Sequence, residues 1–411
     1  MAFSAEPPFL ISWNLTKRCN LKCGHCYLDS TEIDGTSDIS TGEARRTVDQ
    51  ISSLNPNALL IMTGGEPLLR DDLFALARYA ADKGLIVAVG TNGTLLDDNS
   101  VKNLLKSGVK GVGVSLDSIT PDYHDLFRGV KGAWGKTVKG MEVLKRHGLP
   151  FQTQFTVTKT NKQELEKIVL FSIDSGAMAV NVFFLVCTGR GEDLTDLSPK
   201  EYEETLEEVF ELSQKYDGRI MVRPRCAPHI LRIAAERDSE SNLLKGQTSG
   251  CVAGRGYMRI SPDGFVTPCP YMPASDGSAN IKEKSLKEIW EQDKVFSSLR
   301  NPQYKGKCKD CEYESLCGGC RARALAETGD MLAQDPFCSY IPKGKTAKED
   351  IKPVWTSEAK ERLKKAPFFL RGMIRNGVEK YAAFKSIKEI TPELMAELRS
   401  KTPFLKDKGG N

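Results

Sequence analysis

The chain has 411 residues, which is enough for two or three domains at roughly 150 residues per domain. Its composition, 40% hydrophobic and 27% charged, is typical of a globular protein and excludes a disordered or fibrous chain. The formal net charge of +4 is too small to indicate a nucleic-acid-binding surface or a basic membrane patch, so neither partner is expected.

Twelve cysteines are the most informative feature of the composition. Residues 1–12 contain no basic segment followed by an apolar one, and no apolar run approaches the length of a membrane span. We therefore expect a cytoplasmic protein. Because the cytoplasm is reducing, its cysteines are expected to be metal ligands or catalytic groups rather than disulfides.

Between residues 9 and 186, short apolar runs alternate with longer segments of helical periodicity. The predicted strands are Phe9–Trp13, Leu59–Thr63, Ile86–Gly90, Gly111–Leu116, Gln152–Val157 and Asn181–Val186. The predicted helices between them are Thr41–Ser53, Asp71–Lys83, Asp98–Ser107, Thr137–His147 and Lys162–Ser175. Such alternation predicts an α/β fold, an open or closed barrel of six βα units with functional residues at the carboxyl ends of its strands.

The pattern changes after residue 186. Pro199–Tyr216 predicts an acidic amphipathic helix, and Cys251–Tyr340 is rich in cysteine, glycine and turns, which is typical of a segment organised by metal. Lys343–Lys352 is lysine-rich, and Thr356–Arg399 resumes helical periodicity. The predicted units are a barrel at 1–198, a bridging helical segment at 199–250, a cysteine-rich domain at 251–342, a linker at 343–355 and a small helical module at 356–411.

The first cysteine group, Cys19, Cys23 and Cys26, directly follows the first strand. Three thiolates on one loop can bind three irons of a [4Fe–4S] cluster and leave the fourth iron open. Structural zinc is the alternative, but it needs four ligands, so the spacing favours the cluster.

This C-x3-C-x2-C loop resembles the signature of the radical S-adenosylmethionine superfamily. The resemblance implies a partial (β/α)6 barrel and an enzyme that uses S-adenosyl-L-methionine (SAM). In that family the open iron binds the amino and carboxylate groups of SAM, and an electron from the cluster generates a 5′-deoxyadenosyl radical. Cys19, Cys23 and Cys26 would then be both metal ligands and catalytic residues.

Further motifs follow the next strands. Thr63-Gly64-Gly65-Glu66-Pro67 resembles the family's methionine-amine-binding motif, in which the glycines admit a ligand and Glu66 accepts from an ammonium group. The resemblance also assigns cofactor contacts to Thr91, Asn92, Ser115, Asp117, Arg128 and His25. Arg128 is expected to pair with the cofactor's carboxylate, the alternative being a solvated surface arginine, and His25 is expected to stack near adenine.

The second cysteine group comprises Cys251, Cys269, Cys308, Cys311, Cys317, Cys320 and Cys338. Its arrangement resembles the SPASM extension of radical SAM enzymes, which carries one or two auxiliary [4Fe–4S] clusters. That resemblance implies an inner set of Cys251, Cys269 and Cys320 and an outer set of the other four. The inner set lacks a fourth cysteine, so either an open iron or Cys226 completes it. A zinc ribbon is the alternative for residues 308–320, and Cys187 is expected to be a buried thiol.

The stretch Ile11–Tyr340 resembles the haem b and haem d1 branch of SPASM enzymes, notably at residues 13–16, 183–190, 226–229 and 317–324. Residues 367–393 resemble the C-terminal module of the protochlorophyllide reductase B subunit. The first resemblance implies an iron tetrapyrrole substrate in haem biosynthesis, whose carboxylate side chains are decarboxylated or removed. The second points to the same general class of substrate, the tetrapyrroles. Substrate contacts are expected from Arg190, Arg225, Cys226 and His229, with His229 as an axial iron ligand, the alternative being an arginine-rich surface loop.

Two other functions remain open from sequence. One is a SPASM peptide maturase that installs crosslinks in a ribosomal peptide, and the other is a non-catalytic iron–sulfur or tetrapyrrole carrier. An external low-potential electron donor is expected as a partner of the enzyme.

Overall fold

A parallel sheet with helices on one side forms the larger part of the molecule. The computed structural model describes residues 6–30, 38–193, 197–245, 250–275, 277–345, 353–366, 371, 374–375, 377–379, 381–382 and 387–400. The strands of its main sheet are β1 Leu10–Asn14, β2 Leu59–Thr63, β3 Ile86–Thr91, β4 Gly111–Ser115, β5 Phe151–Val157, β6 Ala179–Phe184, β7 Met221–Arg225, β8 Tyr257–Ile260 and β9 Val266–Thr267.

The helices occupy the segments between these strands and the region after them. They are α1 Thr41–Leu54, α2 Leu73–Asp82, α3 Asp98–Lys106, α4 Pro121–Arg128, α5 Ala133–Arg146, α6 Leu165–Ser175, α7 Pro199–Lys215, α8 Ile230–Arg237, α9 Asn242–Lys245, α10 Leu286–Gln292, α11 Lys294–Arg300, α12 Arg321–Thr328, α13 Ser357–Lys365 and α14 Pro392–Ser400. Several begin at a serine or aspartate whose side chain accepts from the first turn, as Ser40 does for α1 and Ser198 for α7.

The strand order is β7-β6-β5-β4-β3-β2-β1-β8-β9, with every neighbouring pair parallel except β8 and β9. The predicted α/β class is confirmed, and each of the six predicted strands has a counterpart. Two further parallel strands, β7 and β8, were not predicted. β7 has the sequence Met-Val-Arg-Pro-Arg, in which a proline and two arginines hide the strand pattern, and it lies in the segment predicted to be a helical bridge. Proline is tolerated there because β7 is an edge strand.

The two faces of the sheet differ in chemistry. One face packs apolar side chains such as Trp13, Met62, Val114 and Phe155 against the helices, and all four are fully buried. Alternate residues point to the other face, here called the polar face. Its members, read from the strand register, include Ser12, Asn14, Gly90, Gly113, Ser115, Gln152, Gln154, Asn181, Arg223 and Arg225. The polar face therefore carries the groups available to a ligand.

The C-terminal region has a small core of its own, which contains Ala359, Leu363, Ala382 and Ile390. Two short strands, β10 Val354–Trp355 and β11 Glu389–Ile390, pair in parallel. The first directly precedes α13 and the second directly precedes α14. Much of the segment 367–373 and most of the predicted linker 343–352 lie outside the described residues. No helix of the described ranges is long and apolar enough to cross a membrane.

Candidate functional site

The first cysteine loop follows β1 and gathers its three thiols. Cys19, Cys23 and Cys26 belong to one packed cluster. The Leu21 backbone N–H donates to Cys19 Sγ at 3.4 Å, and the Ser30 N–H donates to Cys26 Sγ at 3.4 Å. Burial raises the pKa of the Cys19 thiol to about 12, so a thiolate there needs a cation beside it. Three thiols in one place with N–H donors fit the three ligands of an iron–sulfur cluster.

Gly64 and Gly65 bring the β2 loop against the cysteine loop. A Cβ on Gly64 would lie 2.6 Å from the Thr16 carbonyl oxygen, and one on Gly65 would lie 2.2 Å from the Arg18 carbonyl oxygen. The Gly65 N–H donates to the Thr16 oxygen at 2.8 Å. We expected these glycines to admit a ligand; the structure shows that they are required first by the close approach of the chain's own backbone.

Glu66 is fully buried, and its carboxylate accepts hydrogen bonds from other residues of the chain. It accepts from the Asn92 N–H at 2.9 Å, from the Thr91 hydroxyl at 2.8 Å and from the Leu68 N–H at 3.1 Å. Burial raises its pKa to about 7. Its oxygens thereby join the ends of β2 and β3, and the expectation that this side chain accepts from an ammonium group stays a prediction. Asn92 extends the link to the cysteine loop by donating to Asn20 Oδ1 at 2.9 Å.

Asp117 and Arg128 form a buried ion pair at the end of β4. The Arg128 Nε donates to Asp117 Oδ2 at 2.6 Å, and an Arg128 terminal nitrogen lies 3.6 Å from Cys23 Sγ. The second Asp117 oxygen accepts from the Thr156 N–H at 3.0 Å. Although burial opposes it, the Arg128 charge lowers the pKa of Asp117. The alternative of a solvated surface arginine is excluded, and Arg128 has an internal partner before any cofactor binds.

His25 and Ser115 lie at the same edge of the sheet. The His25 ring stacks on Phe127 with the ring centroids 4.2 Å apart and the planes 9° from parallel. Burial lowers the His25 pKa to about 4, so the imidazole is neutral. Ser115 is half-buried and is the last residue of β4. Their contacts with adenine and ribose stay predictions.

The inner auxiliary cysteines are four in space rather than three. Cys226 packs in one apolar cluster with Cys251, Cys269 and Cys320. Its backbone has φ 58, an uncommon value for a residue with a side chain. Burial, with Cys320 and Cys251 adding to it, raises the pKa of the Cys226 thiol. Cys226 follows β7 immediately, so the strand that was not predicted is what carries this thiol to the others.

The outer auxiliary cysteines, Cys308, Cys311, Cys317 and Cys338, line a single pocket. In the part of the chain that the structure describes, no three Cys, His, Asp or Glu side chains converge closely enough to hold one metal ion. The four thiols that line this pocket are the ones expected to form the outer set, and their binding of an iron–sulfur cluster stays a prediction.

His229 belongs to the wall of that outer pocket. It is 1% exposed, and its Nδ1 lies 2.9 Å from the Tyr202 hydroxyl. The imidazole is packed beside the outer cysteines, and its expected role as an axial ligand to a substrate iron stays a prediction.

Arg190 contacts the first cysteine loop, and its expected contact with substrate stays a prediction. Its Nε donates to the Cys23 carbonyl at 3.0 Å, and another nitrogen reaches Asp29 Oδ1 at 2.7 Å and the Ser30 carbonyl at 2.9 Å. These bonds hold the loop on which the cysteines lie. Arg225, by contrast, lies on the polar face and donates to Asn181 Oδ1 at 3.0 Å.

A buried ion pair between the two auxiliary groups was missed by sequence reasoning. Asp335 accepts from the Cys320 N–H at 2.7 Å, and an Arg323 nitrogen lies 3.3 Å from the same carboxylate oxygen. Arg323 also donates to the Cys226 carbonyl at 3.3 Å. The signal lay in Arg323, close behind Cys320, but nothing in the sequence indicated its acidic partner.

Comparison with known families agrees with the sequence interpretation. The Radical SAM superfamily model matches residues 13–172, the SPASM iron–sulfur cluster-binding domain matches residues 251–312, and the model of the proto-chlorophyllide reductase 57 kD subunit matches residues 355–399. The predicted cofactors, iron–sulfur clusters and SAM, are thereby confirmed as classes.

Among curated relatives, the AdoMet-dependent heme synthase of Methanosarcina barkeri is 42% identical over 83% of this chain and 99% of its own length. The pre-heme d1 synthase of Dinoroseobacter shibae is 32% identical over 83% of this chain and 88% of its own length. Among solved structures, SuiB of Streptococcus suis bound to S-adenosylmethionine superposes with a TM-score of 0.67 at 19% identity, over 82% of this chain and 78% of that one. The structural likeness concerns the fold alone.

Proposed function

Because the chain belongs to the radical SAM superfamily, we propose that it converts propionate side chains of an iron coproporphyrin to vinyl groups in haem biosynthesis. The observation that carries the proposal is the 42% identity to a heme synthase over nearly the whole of that enzyme. Each conversion removes one hydrogen atom from the side chain, to the 5′ carbon derived from SAM, and then releases carbon dioxide and one electron. When bound, the first cluster supplies the electron that cleaves SAM, and an auxiliary cluster accepts the electron released by the substrate.

The protein's own contribution is to hold the reacting groups in place. Glu66 ties the β2 and β3 loops together, and Gly65 lets them contact the cysteine loop. Arg190 fixes the other side of that loop through the Cys23 carbonyl. Arg128, neutralised by Asp117, points at the Cys23 thiol and favours its ionised form. The polar face below these loops faces the substrate.

The auxiliary ligand sets form part of the same proposal. Cys308, Cys311, Cys317 and Cys338 hold the outer cluster, which is supported by the pocket that they share. The inner cluster is held by Cys251, Cys269, Cys320 and Cys226, which is supported by their common apolar cluster. With four thiols on the inner cluster, substrate has no need of an auxiliary iron as its binding point.

Replacement of Cys226 tests the inner set. Cys226→Ser should lower the iron and sulfide content of the anaerobically reconstituted full chain and change its electron paramagnetic resonance spectrum. Cys187→Ser is the matched control, because Cys187 lies three residues after the end of β6 and belongs to neither of the two proposed sets. Unchanged iron and an unchanged spectrum in Cys226→Ser would remove Cys226 from the set.

The substrate is tested on the wild-type protein. With dithionite and SAM, iron coproporphyrin III should lose the mass of one or two carbon dioxide molecules with the accompanying hydrogens, and 5′-deoxyadenosine should appear. A non-catalytic carrier would make no 5′-deoxyadenosine. A peptide maturase would leave every iron tetrapyrrole unaltered and would change the mass of a ribosomal peptide. We propose further that the enzyme is cytoplasmic and receives electrons from an external low-potential donor.

A further inference from the structure

β7 brings two arginines to the polar face of the sheet. Val222 of β7 is buried on the helix-covered side. Because successive side chains of a strand point to opposite faces, Arg223 and Arg225 lie on the polar face. In the parallel register with β6, Arg223 lies opposite Asn181 and Arg225 lies opposite Phe183. Because Arg225 is the last residue of β7, the pair occupies the end of the sheet at which the other strands present their loops.

Among the described residues, the hydrogen-bond partners of the two guanidinium groups are neutral. An Arg223 terminal nitrogen donates to Gln152 Oε1 at 3.0 Å, and the Arg225 Nε donates to Asn181 Oδ1 at 3.0 Å. Asn181 in turn donates to Gln152 Oε1 at 2.7 Å, so the amides form one small network. The Arg223 Nε is buried and makes no hydrogen bond with any described residue.

Burial and proximity act against the Arg223 charge. Burial lowers the pKa of Arg223 to about 9, with the neighbouring Arg225 charge adding to the effect. An arginine with its charge partly removed from water and left without an anion is unfavourable, so the free protein holds this pair at a cost.

Three other arginines of this molecule are paired with carboxylates. Arg128 pairs with Asp117, Arg323 pairs with Asp335, and Arg232 pairs with two glutamates. Arg321 donates to three backbone carbonyls, and Arg259 donates to the Asn14 amide oxygen at 2.6 Å. Arg223 and Arg225 differ from these in that two guanidinium groups on one strand share a network of amide oxygens.

We propose that Arg223 and Arg225 together bind a carboxylate side chain of the substrate, an inference that rests on the proposed function. The forked guanidinium group matches a carboxylate in two-point geometry, and two such groups side by side supply several donors to one anion. Gln152 and Asn181 hold the guanidinium groups in position through the bonds described above. The bound propionate fixes the macrocycle at the β6–β7 side of the sheet, while Cys23 and Arg128 lie at the β1 and β4 side.

Arg223 and Arg225 thus make the site selective for a substrate side chain that carries a carboxylate. A tetrapyrrole whose propionates are replaced by amides keeps its size and iron but loses the anion. The ratio of the two affinities measures what the arginines contribute, and it does so on folded wild-type protein without any turnover.

The experiment titrates iron coproporphyrin III and its tetraamide into the cluster-loaded full chain without SAM, following the Soret absorption band. Wild type should bind the acid more tightly than the amide by at least about tenfold. Arg223→Gln and Arg225→Gln should each reduce this ratio severalfold, and Arg225→Lys should restore part of it. Arg219→Gln is the matched control, because Arg219 is exposed and lies two residues before the first residue of β7.

Equal affinities of wild type for acid and amide would overturn the inference, as would an unchanged ratio in both glutamine variants. If wild type converts iron coproporphyrin and the ratio is still unchanged, the proposed function stands and only the carboxylate site fails. If wild type neither binds nor alters any iron tetrapyrrole, the proposed function itself fails.

Discussion

The two sides of the polar face treat buried arginines in opposite ways. On the β4 side, Arg128 has the Asp117 carboxylate as its partner and the chain neutralises its own charge. On the β7 side, the described partners of Arg223 and Arg225 are amide oxygens. The β4 side lies beside the first cysteine loop and is neutralised within the chain itself. On the proposal made above, the β7 side is neutralised by the substrate's anion instead.

The largest effect is expected from a substitution that changes the β4 side and leaves the β7 side intact. Cys23→Ser should reduce 5′-deoxyadenosine formation to background, because the loop then lacks one of its three thiolates. The same variant should bind iron coproporphyrin III with nearly the wild-type affinity, since Arg223 and Arg225 are untouched. Chromatography for the nucleoside and Soret titration measure the two sides separately. Loss of both 5′-deoxyadenosine formation and iron coproporphyrin binding would show that the two sides do not act independently.

The two sides should also differ in how a substitution changes the free energy of unfolding. Asp117→Asn leaves Arg128 buried without an anion and should lower the free energy of unfolding by about 3–5 kcal/mol. Arg223→Gln removes a cation that has no anion and should change it by less than about 1 kcal/mol in either direction.

Urea unfolding followed by circular dichroism, on anaerobic protein of equal iron content, makes this measurement. Similar losses in both variants would mean that Arg223 has a compensating partner after all.

The smallest expected effect is a pH dependence on the β4 side. His124 Nδ1 lies 3.2 Å from the Asp117 N–H and accepts from it, so the ring must be neutral at that nitrogen. Burial, with the Arg128 charge adding to it, lowers the His124 pKa to about 4. Because this folded-state value lies below the ordinary value of about 6.5, the unfolded chain takes up the proton first, and stability is lost as pH falls.

Between pH 7.5 and pH 5.5 this residue should cost the wild type about 1.4 kcal/mol of unfolding free energy. His124→Gln should lose correspondingly less over the same interval in urea titrations. The control is His147→Gln, which changes a histidine that lies near the surface and pairs with Asp98. An equal pH slope in wild type and His124→Gln would contradict the prediction.

Sequence reasoning recovered the strands that alternate cleanly with amphipathic helices. It missed β7 because Arg223, Pro224 and Arg225 replace the apolar residues of an ordinary strand. It also missed α4, a short helix with proline at its first position, which carries both His124 and Arg128. These misses matter because both elements hold residues of the site.

The cysteine spacing predicted a cluster of three thiols, and its resemblance to the radical SAM signature indicated the class of this protein. The glycine motif after β2 was likewise readable as a place where another group approaches the backbone closely. Partners distant in sequence were decided only by the tertiary structure: Glu66 with Thr91, Cys226 with Cys320, and Arg223 with Gln152. The reason is physical. A side chain's charge and ligand state depend on what the folded sheet places within a few ångströms of it, and local pattern carries no record of that neighbour.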